Sequence, residues 1–310
     1  MHRQMGLGKI AIVGSGAVGS YYGARLAQSG YDVTFLLRSD YEVVNQRGLQ
    51  VKSVHGDFHL PRVQCVQNSE DIGEVDLVIV AWKATANGAA ESVIRPLLGQ
   101  ETAILTLQNG LGNAEYLGQL FGAKRVMAGL CFVCINRLKA GVIAHSASGL
   151  IRIGELVGGK SARLVQIAEA FEGSGFPCQA VDSLEKAQWM KLVWNFPFNG
   201  LAIAEGGVDT EELLQQRCLE PKVRKIMAEV VAVAAALGHD IPESFIELQI
   251  EITLPMGPYR PSSMIDFVDG REVEFDAIWG QPLAVAKRLG VPVPEMQDLV
   301  LRIQRKLGLS

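Results

Sequence analysis

Lys191, Asn195 and Asn199 recur at intervals of four inside the segment Trp189–Asn199. On a helix that spacing places all three along one face. Their neighbours are Leu192, Val193, Trp194, Phe196 and Phe198, and the segment carries no second charge. A lysine with two amides in such apolar company suits a cleft that handles a carbonyl. Hydride arriving at a carbonyl carbon leaves negative charge on oxygen. An ammonium within hydrogen-bond reach can stabilise that charge and donate a proton. The amides can hold a carbonyl and a carboxylate without adding a competing charge. The alternative is an ordinary helix lysine with structural amides. Pro197 stands between the two asparagines and predicts a kink or break in the helix.

Other residues join this set. Ser263, in Ser262-Ser263-Met264, follows a Pro- and Gly-rich loop at 255–261, and its hydroxyl can bind a carboxylate. Glu274 can orient a substrate hydroxyl or hold Lys191, or it can serve in a plain ion pair. Asn109 follows an apolar strand in Leu107-Gln108-Asn109-Gly110. Ligands of open α/β sheets sit outside the carboxyl ends of strands, so Asn109 is placed to touch nicotinamide or substrate. Asn-Gly is equally a common turn. No histidine joins an Asp and a Ser in a triad motif, so neither a catalytic histidine nor a metal is expected. Cys131 and Cys134 have the spacing of half a metal site but lack a completing pair, and are read as buried structural thiols.

The phosphate-binding candidate lies at the other end of the chain. Gly14-Ser15-Gly16-Ala17-Val18-Gly19 falls between an apolar strand at Lys9–Val13 and a helix-like stretch, Ala17–Gly30. That context makes the G-x-G-x-x-G run a dinucleotide fingerprint. The first glycine permits the tight turn, the second lets a pyrophosphate approach, and the third lets helix and strand pack. The helix start receives the negative charge. Arg38 stands 24 residues after Gly14, near where an NAD-binding acid is usual. A guanidinium there can pair with a 2′-phosphate, and Lys83 can add a second positive charge. The local reading favours NADP(H). The plain alternative is two solvated cations, with Asp40 neutralising Arg38.

These groups need a scaffold, and the sequence predicts one in two parts. Strand and helix signals alternate through residue 182, the pattern of a parallel α/β sheet. Val142–His145 and Leu150–Ile153 flank Ser146-Ala147-Ser148-Gly149 and read as a hairpin. Asp182 and Glu185 read as a helix N-cap pair, and the chain is mainly helical in pattern afterwards. The expected domains are therefore 1–182, an NADP-binding Rossmann-like domain, and 183–310, a helical catalytic domain. A chain of 310 residues that is 48% hydrophobic can bury its core without staples. Its net charge of −4 argues against nucleic acid as a partner. The five cysteines, 65, 131, 134, 178 and 218, look like those of a reduced, cytoplasmic protein. Neither a signal peptide nor a membrane-spanning run is expected.

Taken in order, these residues resemble the ketopantoate reductases (2-dehydropantoate 2-reductases). The resemblance runs from Lys9 to about Leu307. It is carried by Gly14–Gly19, Lys83, Gln108-Asn109-Gly110, His145 with Ile153-Gly154-Glu155, Lys191/Asn195/Asn199, Ser262-Ser263-Met264 and Glu274-Phe275-Asp276. It implies a Rossmann-like domain and an all-helical one, with the active site between them. Lys191 would be the general acid. Asn109, Asn195, Asn199, Ser263 and Glu274 would bind substrate. Gly14, Ser15, Gly16, Ala17, Val18, Gly19, Arg38 and Lys83 would bind NADP(H), with Asn109 and Glu274 also touching it. The implied reaction is NADPH-dependent reduction of 2-dehydropantoate to pantoate, on the way to pantothenate and coenzyme A. A homodimer is compatible with it. Three departures stand out: a stretch between Ser263 and Glu274 about one residue shorter, Asp209 in place of a substrate-contacting asparagine, and Ala86 in place of a polar residue. A reductase of another branched 2-oxo acid, a β-hydroxyacid dehydrogenase, or a non-enzymatic NADPH sensor are the competing readings.

Overall fold

The computed structural model describes residues 7–216 and 219–309, so Cys218 lies outside the described residues. Ten strands run in chain order: β1 (Lys9–Val13), β2 (Asp32–Leu36), β3 (Leu49–Ser53), β4 (Phe58–Leu60), β5 (Gln64–Val66), β6 (Val75–Val80), β7 (Leu98–Thr106), β8 (Val126–Lys139), β9 (Val142–Glu155) and β10 (Cys178–Ala180). The helices are α1 (Ala17–Gln28), α2 (Tyr41–Arg47), α3 (Ala90–Ile94), α4 (Asn113–Phe121), α5 (Ala162–Gly173), α6 (Leu184–Ala204), α7 (Glu220–Ala236), α8 (Ser244–Thr253), α9 (Ser262–Val268), α10 (Gln281–Leu289) and α11 (Pro294–Leu307). The chain divides into two compact units. One holds residues through Gln108 and Asn113–Leu184; the other holds Asn109–Gly112 and everything from Glu185.

All the strands of the first unit join one sheet, in the order β4-β3-β9-β8-β7-β6-β1-β2-β5, with β10 beside β9. Strands β8, β7, β6, β1, β2 and β5 are parallel, each to its neighbour. Strands β1 and β6 are almost continuously apolar because both faces of a parallel sheet are covered. Helix α1 lays Tyr21, Tyr22 and Leu26, all fully buried, against this core.

The sheet is mixed where the sequence predicted a hairpin. Residues 142–155 form one 14-residue strand antiparallel to β8, and the reversal falls instead between Lys139 and Val142. The Ser-Ala-Ser-Gly stretch is a bulge within β9, where the register shifts and Ser148 and Gly149 take φ of 62° and 127°. Residues able to adopt positive φ serve bulges as readily as turns. Cys131 and Cys134 are half-buried on β8, not fully buried as expected, whereas Cys178 is buried. No disulfide joins the described cysteines. Helix α6 begins at Leu184, so Asp182 is not its cap. Its carboxylate is exposed and lies 3.8 Å from Lys160 Nζ.

The second unit is helical. Helix α6 runs unbroken through Pro197. The ring removes one i→i−4 bond, but Trp189, Val193, Phe196 and Phe198 are buried around it and hold the helix in line. Helix α7 supplies Val223, Ile226, Met227 and Val230 to the same core, and α11 supplies Leu299 and Ile303. No described helix is long and apolar enough to cross a membrane.

Candidate active site

In the first unit, the turn between β1 and α1 has the shape that the glycines predict. Gly14 has φ of 96°, and a Cβ on it would lie 2.2 Å from Trp82 N, so any side chain would be expelled. Gly19 is buried, and a Cβ there would lie 2.4 Å from the Gly14 carbonyl oxygen and 3.0 Å from Ile12. Gly16 differs. It is exposed, and no protein atom lies within 4 Å of a Cβ placed there, so a ligand can come against its backbone. Ser15 Oγ donates to the Leu36 carbonyl (3.1 Å) and ties the turn to the end of β2. Ala17 and Val18 open α1, whose unpaired N–H groups favour an anion.

Arg38 is exposed just beyond β2 and makes no ion pair among the described residues. Asp40 does not neutralise it. That carboxylate is buried, accepts from Arg137 Nη2 (2.7 Å) and Ser39 Oγ (3.0 Å), and is thereby spent. Lys83 is half-buried at the end of the loop after β6. An exposed cation just beyond β2, an open glycine at the helix start and no acid in the usual NAD position are what a 2′-phosphorylated dinucleotide would call for.

One network near the carboxyl ends of β6 and β7 escaped the sequence reading. Asn87 Oδ1 accepts from Trp82 Nε1 (3.1 Å) and Gln108 Nε2 (2.8 Å), while Asn87 Nδ2 donates to Asn113 Oδ1 (2.9 Å). Thr106 Oγ1 donates to Gln108 Oε1 (2.8 Å). The network ties the ends of β6 and β7 together through Gln108. Its only sequence signal is a cluster of amides just past strand ends. His145 is structural. It is buried, its Nδ1 lies 2.8 Å from Ser53 Oγ and 3.2 Å from Tyr21 OH, and its Nε2 faces the carbonyls of Ala147 and Ser148. Burial pushes its pKa down, which favours the neutral ring.

In the second unit, Lys191 is half-buried on α6, and its Nζ donates to Asn109 Oδ1 at 2.7 Å. These residues are 82 positions apart in sequence, so the fold has built this pair. Asn195 is half-buried one turn on, and Asn199 is buried. Asn199 Nδ2 donates to the Asn195 carbonyl (3.2 Å) and lies 3.4 Å from Asn195 Oδ1; its own Oδ1 accepts the Ser263 N–H (3.0 Å). Asn199 thus pins the first turn of α9 to α6 and steadies Asn195. Ser263 is itself buried. Glu274 is half-buried just before a π-helical turn, Asp276–Gly280. Asp209 Oδ1 accepts the Glu212 N–H (2.9 Å), so its charge serves as a cap. We expect Asn199→Ala to lower unfolding stability by about 1–3 kcal/mol, because the buried Ser263 N–H loses its acceptor. Denaturant titration of the variant measures it, and an unchanged midpoint would contradict the assignment.

The arrangement on α6 holds an ammonium in place through one amide while a second amide stands one turn away. Groups of this kind can receive a carbonyl and hand it a proton. Comparison with known proteins identifies a family. The family described as Ketopantoate reductase PanE/ApbA matches residues 10–158, and its C-terminal counterpart matches residues 183–306. The chain belongs to the ketopantoate reductase family. Members reduce ketopantoate to pantoate, so the protein is an oxidoreductase of that family. A 2-dehydropantoate 2-reductase of Nostoc is 40% identical, over 94% of this chain and 92% of its own. The crystal structure of the 2-dehydropantoate 2-reductase of Geobacter metallireducens is 43% identical with a TM-score of 0.93, covering 96% of this chain and 99% of that one. A D-mandelate dehydrogenase solved with NADH and anilino(oxo)acetate is similar at 26% identity and a TM-score of 0.88, covering 96% and 98%. Ketopantoate reductases use NADPH.

Proposed function

We propose that this protein reduces 2-dehydropantoate to pantoate with NADPH, Lys191 acting as the general acid. The observation that carries the reading is the Lys191 Nζ–Asn109 Oδ1 hydrogen bond of 2.7 Å, which holds a half-buried ammonium in a fixed direction. NADPH supplies the hydride. Gly14, Ser15, Gly16, Ala17, Val18 and Gly19 would hold its pyrophosphate, and Arg38 and Lys83 its 2′-phosphate. Asn109 would also meet the nicotinamide end, and Glu274 would also touch the dinucleotide.

The chain's own residues then do three things. Asn195 and Ser263 bind the keto acid, with Asn199 orienting both through its amide. Glu274 accepts from a substrate hydroxyl. Lys191 stabilises negative charge as it develops on the carbonyl oxygen and delivers a proton to that oxygen. The amine it becomes is reprotonated from solvent between turnovers. A cytoplasmic setting and a homodimer are part of the proposal.

Turnover measured with NADPH and either 2-dehydropantoate or 2-oxoisovalerate tests the substrate. We expect kcat/KM to favour 2-dehydropantoate by at least tenfold, about 1.4 kcal/mol. Asp209 does not weigh against it, because its carboxylate is engaged at the Glu212 N–H. Equal or reversed kcat/KM values would transfer the protein to another branched 2-oxo acid. No turnover with either would favour an NADPH sensor.

A further inference from the structure

The loop carrying Asn109 is held by a feature that the proposed chemistry has not used. Residues Asn109–Gly112 belong to the helical unit, although they lie between β7 and α4 in sequence. The Leu111 N–H donates to the Ala277 carbonyl at 2.8 Å, and the Leu111 side chain is buried in the helical core. Gly110 has φ of 83°, and a Cβ there would lie 2.2 Å from that same Ala277 oxygen. Backbone meets backbone at this point, and only glycine permits it.

Ala277 sits in the π-turn Asp276–Gly280. Such a turn takes its carbonyls off the regular i→i+4 ladder, and π-turns recur at functional sites. The turn is itself anchored to α6. Trp279, fully buried, donates Nε1–H to the Phe196 carbonyl at 3.0 Å. Gly200 leaves room for that ring, since a Cβ there would lie 2.8 Å from Trp279 Nε1. The contacts close a circuit: α6 to the π-turn through Trp279, the π-turn to the loop through Ala277, and the loop back to α6 through Asn109 and Lys191.

We propose that this π-turn is a positioning element for the proton donor, with Gly110 and Trp279 as the positioning residues. The Ala277 carbonyl and the bare Cα of Gly110 fix where Asn109 stands, and Asn109 fixes where the Lys191 ammonium points. The inference rests on reading Lys191 as the general acid. A misplacement of about 1 Å at a reacting group can cost on the order of 100-fold in rate.

The test compares wild type, Gly110→Ala, Trp279→Phe and Lys191→Ala. For each, kcat and its pH profile are measured with 2-dehydropantoate, and NADPH affinity by fluorescence titration. Gly110→Ala is expected to lower kcat by roughly 10- to 100-fold with NADPH affinity within about twofold of wild type. An ammonium that loses one of its hydrogen-bond acceptors gives up its proton more easily. A general acid must be protonated, so the basic limb of the kcat profile is expected to move to lower pH. Trp279→Phe keeps an aromatic side chain in the buried site but removes the indole N–H together with the fused five-membered ring, and it should give a few-fold loss with the same limb shift. Wild-type kcat and limb in Gly110→Ala and Trp279→Phe, beside a collapsed Lys191→Ala, would overturn the positioning role and leave the general acid standing. So would a fall in kcat without a limb shift. If Lys191→Ala retains wild-type kcat, the reading of the lysine itself fails. Should Gly110→Ala not fold, Trp279→Phe decides alone.

Discussion

Lys191→Ala is expected to lower kcat by about 10²- to 10⁴-fold, the range that a positioned acid contributes to a carbonyl reduction. The residue combines both tasks the reaction needs, since the ammonium stabilises charge on oxygen and then neutralises it by proton transfer. Water admitted by the truncation can replace the proton but not the fixed direction. NADPH affinity should change little, because most residues assigned to the dinucleotide lie on the β1–α1 turn, after β2 and after β6, and Asn109, which Lys191 touches, is left in place. The fold should also survive, since Lys191 is only half-buried and its neighbours Leu192 and Val193 carry the packing. Steady-state kcat, with NADPH titration on the same preparation, is the measurement. Wild-type kcat would remove Lys191 from the mechanism, and lost NADPH affinity would place it in the cofactor site.

The second large effect concerns cofactor choice. Arg38→Ala should raise KM for NADPH by about 10- to 100-fold and leave KM for NADH within about twofold. The figure follows from about 1.5–3 kcal/mol for a hydrogen bond to a charged group. Arg38 can give that energy because Asp40 is committed to Arg137 and Ser39 rather than to it. The guanidinium is exposed, so the contact should weaken as salt is added. The discrimination between NADPH and NADH should therefore shrink at high ionic strength in wild type and stay small in the variant. Equal rises in both KM values would mean that Arg38 supports the turn rather than the phosphate.

Much of this was legible from residue types alone. The glycines at 14, 16 and 19 and the apolar run before them specify a strand, a turn and a helix, because Gly14 and Gly19 answer local steric demands and Gly16 leaves its face of the turn open. The four-residue rhythm of Lys191, Asn195 and Asn199 likewise survives, because packing around Pro197 keeps α6 straight enough to preserve it. What failed was non-local. Ser148 and Gly149 carry a turn signature, yet β8 continues alongside and converts it into a bulge. The cap assigned to Asp182 needed a helix start one residue earlier than Leu184, where α6 begins. Asn87 carried only the weak signal of an amide past a strand end, and the Ala277 carbonyl none, because their roles depend on partners distant in sequence. The reading also left residues 294–307 unnamed as a helix, although Met296, Leu299, Val300 and Ile303 line its buried side.

The assignment of Asn109–Gly112 to the helical unit has a practical side. A fragment cut at Leu184 and expressed from Glu185 onward would be born without one of its own parts. Its lysine would lose the Asn109 amide, and the Ala277 carbonyl would lose the Leu111 N–H. Chimeras that exchange the back half of this chain with that of a relative should therefore carry the four-residue peptide along with it.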